Sequence, residues 1–238
     1  TPASLERFET RPPLKTIESA GDLPGVVYLY MLLSQGLLHD TYLYGQDLKN
    51  LFPTLISPTE VMDGAIVSGN CVSACDKNTT YHHQNNPVIR ELFNRDGKEL
   101  RFLGTVVANC NVTLQDKQRS AEFAAKLVEL LGADGAVITK EGFGNPDADA
   151  MMYCALLEGR GIRTVMLTDE FAGVDGASQS LADITPQADA VVSTGNANER
   201  ISLPPADKVI GDIRVVEKIA GGQSGSLSRE GITVELQA

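Results

Sequence analysis

Leu103-Gly-Thr-Val-Val-Ala108, then Asp116 to Leu131, then Ala136-Val-Ile-Thr139 decide how this chain folds. The first and third are short apolar runs rich in β-branched residues, which suits strands buried on both faces. Between them Phe123, Ala124, Leu127, Val128 and Leu131 recur at helical spacing and share one face, and Gly132 supplies the stop. Strand, helix and strand at this spacing predict a parallel βαβ unit with a right-handed crossover. The pattern then repeats. A helix runs from about Pro146 to Glu158 and ends near Gly159 and Gly161; a strand follows at Thr164-Val-Met-Leu167. A shorter helix over Ser178 to Ala182 leads to a last strand of this series at Ala190-Val-Val-Ser193. The expected fold class is α/β, a three-layer αβα arrangement around a mainly parallel sheet built from βαβ units.

Outward from this block the chain is less regular. Val26 to Leu33 reads as a buried strand, and Ala65-Ile-Val67 as another that ends in Ser68-Gly69-Asn70. Pro87 to Phe93 reads as a helix opened by Asn85-Asn86 and closed near Gly97. Near the end, Ala220 to Gly225 reads as a flexible loop before a strand at Ile232 to Leu236. Residues 1–25 read as an extended lead-in, because Thr1-Pro2-Ala3 has no Met and Arg11-Pro12-Pro13 follows. The expectation is a piece of a longer precursor, with residues 26–238 as one α/β domain.

Composition narrows the function. The 238 residues are 42% hydrophobic and 21% charged, with a net charge of -11. That balance and a pI of about 4.7 argue against nucleic acid or an anionic membrane as partner. No apolar run is long enough to span a bilayer, and no signal peptide opens the chain. The four cysteines are sparse, and the two at Cys110 and Cys154 follow a strand and sit in a helical run, as packing residues do. This usage fits a reducing cytoplasm.

The expected strands lead to polar residues at their carboxyl ends: Asn70, Asn109, Glu141, Asp169 and Asn196. Ligands of open parallel sheets bind at that edge, so a polar cleft is expected there. Gly142-Phe-Gly144-Asn-Pro-Asp147 begins like a dinucleotide fingerprint, but Asp147 replaces the third glycine. Asp147 and Asp149 would repel a pyrophosphate at that helix start, so no nucleotide is expected. They suit helix capping or attraction of a substrate ammonium. Glu141 and Asp169 could hold such an ammonium, with Asn109 and Asn196 as further candidates. Asp169 to Gly176 is a polar loop longer than a turn needs.

Ser68-Gly69-Asn70-Cys71-Val-Ser-Ala-Cys75-Asp-Lys77-Asn78 admits three accounts. Cys71 and Cys75 with His82 and His83 could hold zinc, though the spacing is not a standard pair. Small residues could merely serve a tight turn. Or the Cys71 thiol could attack the preceding carbonyl, and later elimination of sulfur would leave a pyruvoyl cap and a broken chain. These residues alone do not choose. His39 with Asp40 lies in a polar break after an apolar strand, and histidine is the usual proton carrier near neutral pH.

Four longer motifs carry a resemblance. They are Gln35-Gly-Leu-Leu-His39-Asp40-Thr41, Pro58-Thr-Glu60 through Asn70-Cys71 to Cys75-Asp-Lys-Asn, Glu141-Gly-Phe-Gly144-Asn-Pro-Asp147, and Asp175-Gly-Ala-Ser178-Gln-Ser-Leu-Ala-Asp183. From about Val26 to Leu236 the chain resembles the component B proprotein subunits of glycine, sarcosine and betaine reductases, and is similar to the D-proline reductase proprotein. The resemblance implies self-processing at Asn70-Cys71 and a pyruvoyl group derived from Cys71; the missing third glycine, the acidic helix start and the poor zinc spacing at Cys71 lead to the expectation of no metal and no nucleotide. It implies a carbonyl that forms an imine with a small amine substrate, and a separate selenocysteine-bearing subunit that displaces nitrogen from the α-carbon. The partners so implied are the second component B subunit and a selenoprotein of the A type, in a cytoplasmic oligomer. Betaine has no N–H, so its enzyme must use this subunit differently. The competing expectation is an unprocessed homologue that binds a small amino-acid-like ligand without catalysis. A zinc hydrolase on Cys71, Cys75 and the histidines is a third.

Overall fold

The computed structural model describes residues 22–34, 40–69, 77–173, 175–178 and 181–196, and the backbone of 200–203, 227–228 and 231–235. In chain order the strands are β1 (Gly25–Leu32), β2 (Thr41–Leu43), β3 (Gln46–Asp47), β4 (Thr54–Ile56), β5 (Ile66–Ser68), β6 (Arg101–Asn109), β7 (Gly135–Lys140), β8 (Arg163–Glu170), β9 (Val191–Asn196), β10 (Arg200–Leu203), β11 (Leu227–Ser228) and β12 (Gly231–Glu235). The helices are α1 (Pro58–Met62), α2 (Thr80–Gln84), α3 (Pro87–Arg95), α4 (Leu114–Leu130) and α5 (Asn145–Glu158).

The main sheet runs β4-β6-β1-β7-β8-β9. All its pairings are parallel except that of β4 with β6. The expected mainly parallel α/β sheet is therefore present. β1 shows why it forms. Its alternate residues Val27, Leu29 and Met31, with Leu33 just beyond, pack with Ala121, Ala124, Ala125 and Val128 of α4 and with α5. Tyr28, Tyr30 and Leu32 face the other way, toward Leu43, Val61, Ile66, Ile89 and Leu92. A strand covered on both faces cannot afford a polar face, hence the unbroken apolar run. Leu157 of α5 is fully buried, and burial of such a side chain contributes about 1.5–3 kcal/mol.

Local signals account for the helix ends. Asn86 caps α3, its side chain accepting from the N–H groups of Val88 and Ile89, with Pro87 next. Thr113 caps α4 by accepting from Asp116 N–H. Cys110 and Cys154 are free and buried, as packing thiols are.

Four expectations need correction. The strand at Ile66–Ser68 does not join the main sheet; it pairs antiparallel with β2 in a small sheet of order β3-β2-β5. Three residues with a matching hairpin nearby pair locally before any crossover is required. Ser178, Leu181 and Ala182 are not helical. Ser178 N–H donates to Ala172 O and Ala182 N–H to the Asp147 carboxylate, so these amides are satisfied outside any helix. Asp169 belongs to β8 and not to the loop after it. Phe123 is 43% exposed and stacks on Phe52, so the buried stripe of α4 is its alanines and Val128.

The expected lead-in, residues 1–21 at least, and the loop at 220–225 lie outside the described residues. β10, β12 and β11 form a separate three-stranded antiparallel sheet in that order.

Candidate active site

Counting the five parallel strands in chain order, the main sheet reads 2-1-3-4-5. β1 leads on to β6 on one side, whereas β7, on its other side, leads on to β8. Loops leaving two neighbouring strands in opposite directions open a crevice at their carboxyl ends. Glu141 stands in that crevice, one residue past β7. Its Oε2 accepts from Leu33 N–H at 2.8 Å, one residue past β1, and its Oε1 accepts from Asn78 N–H at 2.8 Å. Burial pushes its carboxyl up to about 7, while the two N–H groups and the Lys77 charge pull it back.

His83 lies behind Glu141, with Nε2 3.9 Å from Oε1. Burial first, then the neighbouring His82 and Lys77, pushes His83 down to about 4. At neutral pH it is uncharged, so this contact is not an ion pair. Its Nδ1 shares a hydrogen bond of 2.7 Å with the Tyr30 hydroxyl. Tyr28 stacks on Tyr30 with centroids 5.0 Å apart. The Tyr28 hydroxyl bonds Thr139 Oγ1 at 2.6 Å and accepts from Asn86 Nδ2 at 3.2 Å. Burial raises both phenols, so they stay neutral.

Glu141, Tyr28, Tyr30, Thr139 and Asn86 line a cavity of about 360 Å³ with Asn78, Lys140 and Asp169, whereas His83 is not among its lining residues. Asp169, near the end of β8, is 6% exposed, and burial raises its carboxyl. Its Oδ1 is 3.8 Å from Lys140 Nζ, and its Oδ2 has no partner among the described residues. Lys140 Nζ is held at 2.8 Å by Asp147 Oδ1 and donates to Gly142 O at 2.7 Å. Asp147 therefore faces a protein ammonium and caps its helix through Gly144 N–H. Asp149, the other acidic residue of that turn, pairs with Lys117.

Of the expected site residues, Glu141, Asp169 and His82 meet at the cavity. Asn109 and Asn196 are not among its lining residues. Asn109 Oδ1 is buried without a partner among the described residues. Asn196 fixes the loop after β8, accepting from Ala172 N–H and donating to Gly173 O. Asp40 pairs with Lys77, and its carbonyl accepts from Gly69 N–H. Asn70, Cys71, Cys75 and His39 lie outside the described residues. The residues bordering 70–76 are thus held by Asp40 on one side, at Gly69, and by Asp40 and Glu141 on the other, at Lys77 and Asn78. Among the described residues no group of three or more His, Cys, Asp or Glu side chains could hold a metal ion. No helix of the described residues is long and apolar enough to cross a membrane.

Sequence reasoning missed Lys140, Tyr28, Tyr30 and Asn86. Lys140 left a trace, as a charge closing a strand whose preceding residues are apolar or β-branched. The tyrosines left none, since they sit within a run that reads as core.

Fold and crevice define an α/β protein with a polar cavity at the carboxyl edge of a mainly parallel sheet. The chain belongs to the family of glycine/sarcosine/betaine reductase component B subunits, which it matches over residues 1–238. It is 56% identical over 241 residues to the glycine reductase complex component B subunits alpha and beta of Acetoanaerobium sticklandii, covering 100% of this chain and 56% of that protein. To the sarcosine reductase complex component B subunit alpha of Peptoclostridium acidaminophilum it is 52% identical, over 99% of this chain and 55% of the relative. The D-proline reductase proprotein of A. sticklandii is further off, 30% identical over 64% of this chain and 25% of its own length. The chain thus spans about half the length of its nearer relatives here. No solved structure matches it.

Proposed function

We propose that the chain is a processed subunit of a cytoplasmic reductase complex that cleaves the C–N bond of glycine or a related small amine. In this reading Cys71 Sγ attacks the Asn70 carbonyl, and the peptide bond becomes a thioester with a free amine at position 71. Elimination then breaks the Cys71 Cβ–S bond. Sulfur leaves on the Asn70 fragment as a thiocarboxylate, and hydrolysis of the dehydroalanine releases ammonia and leaves a pyruvoyl cap. The cap supplies an electrophilic carbonyl for the substrate nitrogen. Selenocysteine-bearing subunits complete the reduction, since this chain carries no selenocysteine.

The observation that carries this reading is the placement of Asn78, which lines the cavity and hydrogen-bonds Glu141 seven positions after Cys71. Asp169 and Glu141 would orient the nitrogen, and the neutral Tyr28 and Tyr30 would close one wall. Asn109, Asn196 and His39 are carried as candidates for binding or proton transfer.

Mass spectrometry of the mature complex from its native host tests it. A fragment starting at position 71 with a carbonyl cap, trapped by hydroxylamine or reduced by borohydride, is expected. Cys71→Ala should stay uncleaved, folded and inactive, whereas Cys75→Ala should still cleave. Cys71→Ser should cleave more slowly, because hydroxyl is the poorer nucleophile. An active complex holding one intact chain with a free Cys71 thiol would sink the proposal and favour an unprocessed ligand-binding homologue.

A further inference from the structure

We infer that the cavity at β7 and β8 is a cation site, in which Asp169 Oδ2 accepts a protonated amine and Lys140 is withheld from any ligand by Asp147. The inference deepens the amine-reductase reading, on which it rests for the identity of the physiological ligand.

The argument is one of charge and of vacant positions. Lys140, Asp147 and Asp169 are all buried at their side chains, 0%, 0% and 7% exposed. One positive and two negative groups leave this cluster one negative charge in excess when ionised. Lys140 forms a close ion pair with Asp147 at 2.8 Å and donates to Gly142 O at 2.7 Å. Asp169 stands 3.8 Å from that ammonium, too long for a hydrogen bond, and its carboxyl is otherwise bonded locally, by the Thr168 side chain and its own backbone N–H. Its Oδ2 is buried and without a partner among the described residues, and Asp169 is one of the residues that line the cavity. A buried carboxylate oxygen left in this state is costly, and a ligand bringing one positive charge and N–H donors removes the cost. An anion would meet an excess of negative charge and a lysine already engaged.

Glu141 lines the same cavity but is the weaker acceptor. Each of its oxygens already takes a backbone N–H at 2.8 Å, and burial holds its carboxyl near 7, so it is partly protonated at neutral pH. The site accordingly recognises the nitrogen end of an amino acid through Asp169, while the ligand's carboxylate must be met by a group other than Lys140.

Titration of the full-length precursor with methylammonium chloride, and separately with sodium acetate, tests this by calorimetry. Methylammonium should bind and acetate should not. Asp169→Asn, which keeps the shape and removes the charge, should weaken methylammonium at least tenfold, and Asp169→Glu should retain part of the affinity. Acetate binding, no methylammonium binding, or Asp169→Asn binding as wild type would each overturn the inference. If Asp169→Asn does not fold, the comparison of the two probes on the wild type and on Asp169→Glu decides. In the assembled complex Asp169→Asn should raise the glycine KM at least tenfold. A wild-type KM in that variant refutes the Asp169 assignment and leaves the reductase reading standing. A wild-type complex that turns over no amine refutes the reductase reading, and methylammonium binding then still tests the site.

Discussion

Glu141 Oε1 and His83 Nε2 stand 3.9 Å apart in the interior, and neither behaves as the charged half of an ion pair. Burial raises the glutamate and lowers the histidine, so both drift toward neutrality instead of toward each other's charge. Glu141 joins the ends of β1 and β7 to the chain at Asn78, and His83 anchors Tyr30 behind it.

The pair predicts an unusually flat pH dependence. Glu141 titrates near 7 against an ordinary 4.5, so its contribution to stability is full below 4.5 and is lost as pH rises through 7. His83 titrates near 4 against 6.5, so its contribution is full above 6.5 and is lost as pH falls through 4. Each is worth about 3 kcal/mol, and with opposite signs they offset one another over most of that range. In urea unfolding, Glu141→Gln should become about 3 kcal/mol more stable between pH 4 and 6.5, relative to the wild-type trend. His83→Gln should lose about as much between pH 4.5 and 7. Parallel curves for wild type and Glu141→Gln would show that Glu141 carries no such proton.

Gly69 lies in close approach to the Asp40 side chain. A Cβ built there lies 3.0 Å from Asp40 Cγ and collides with the carboxylate oxygen that faces it. Gly69→Ala should cost about 1–3 kcal/mol by overpacking. The cost should shrink by about 1 kcal/mol or more when Asp40→Ala is made first, since contacting residues couple. Additive losses in the two variants would place the strain elsewhere.

Lys117 and Asp149 form a buried pair between α4 and α5, away from the cavity. The Lys117 ammonium also donates to Asn145 O at 2.9 Å, and Asn111 N–H donates to Asp149 at 3.1 Å. Lys117→Met should leave the carboxylate without its cation and cost about 3–5 kcal/mol. Lys117→Met combined with Asp149→Leu should recover most of that loss, because no unpaired charge remains. Chemical denaturation of the single and double variants gives both values, and a double variant no better than the single one would contradict the account.

The strands and long helices were legible because burial on two faces writes itself into local composition. β1, β6, β7 and β8 read as apolar runs, and α4 and α5 were found to within two residues at each end. That Glu141 and Asp169 would lie together at the carboxyl edge of the sheet was legible from their position at strand ends, and both line the cavity there. The short helix over Ser178 to Ala182 was misread because its apolar and polar residues fit a helical turn, while the Asp147 carboxylate takes the Ala182 amide. Ile66–Ser68 was misplaced because so short a strand carries no signal of which sheet will take it.

By itself the sequence determined the α/β class, the parallel core strands, the acidic character and, through its long ordered motifs, the family. These depend on contacts near in the chain or on identity of residues, and both survive in a linear reading. Only the tertiary structure decided that the chain leaves β1 and β7 in opposite directions at a crevice, and that Asp147 occupies Lys140 while Asp169 Oδ2 is without a partner among the described residues. It also decided that Tyr30, His83 and Glu141 share one interior. Those relations join residues 30, 83, 140, 141, 147 and 169, brought together by strand order. No local signal encodes which of two neighbouring carboxylates will find a cation, because that depends on distances set after the sheet has formed.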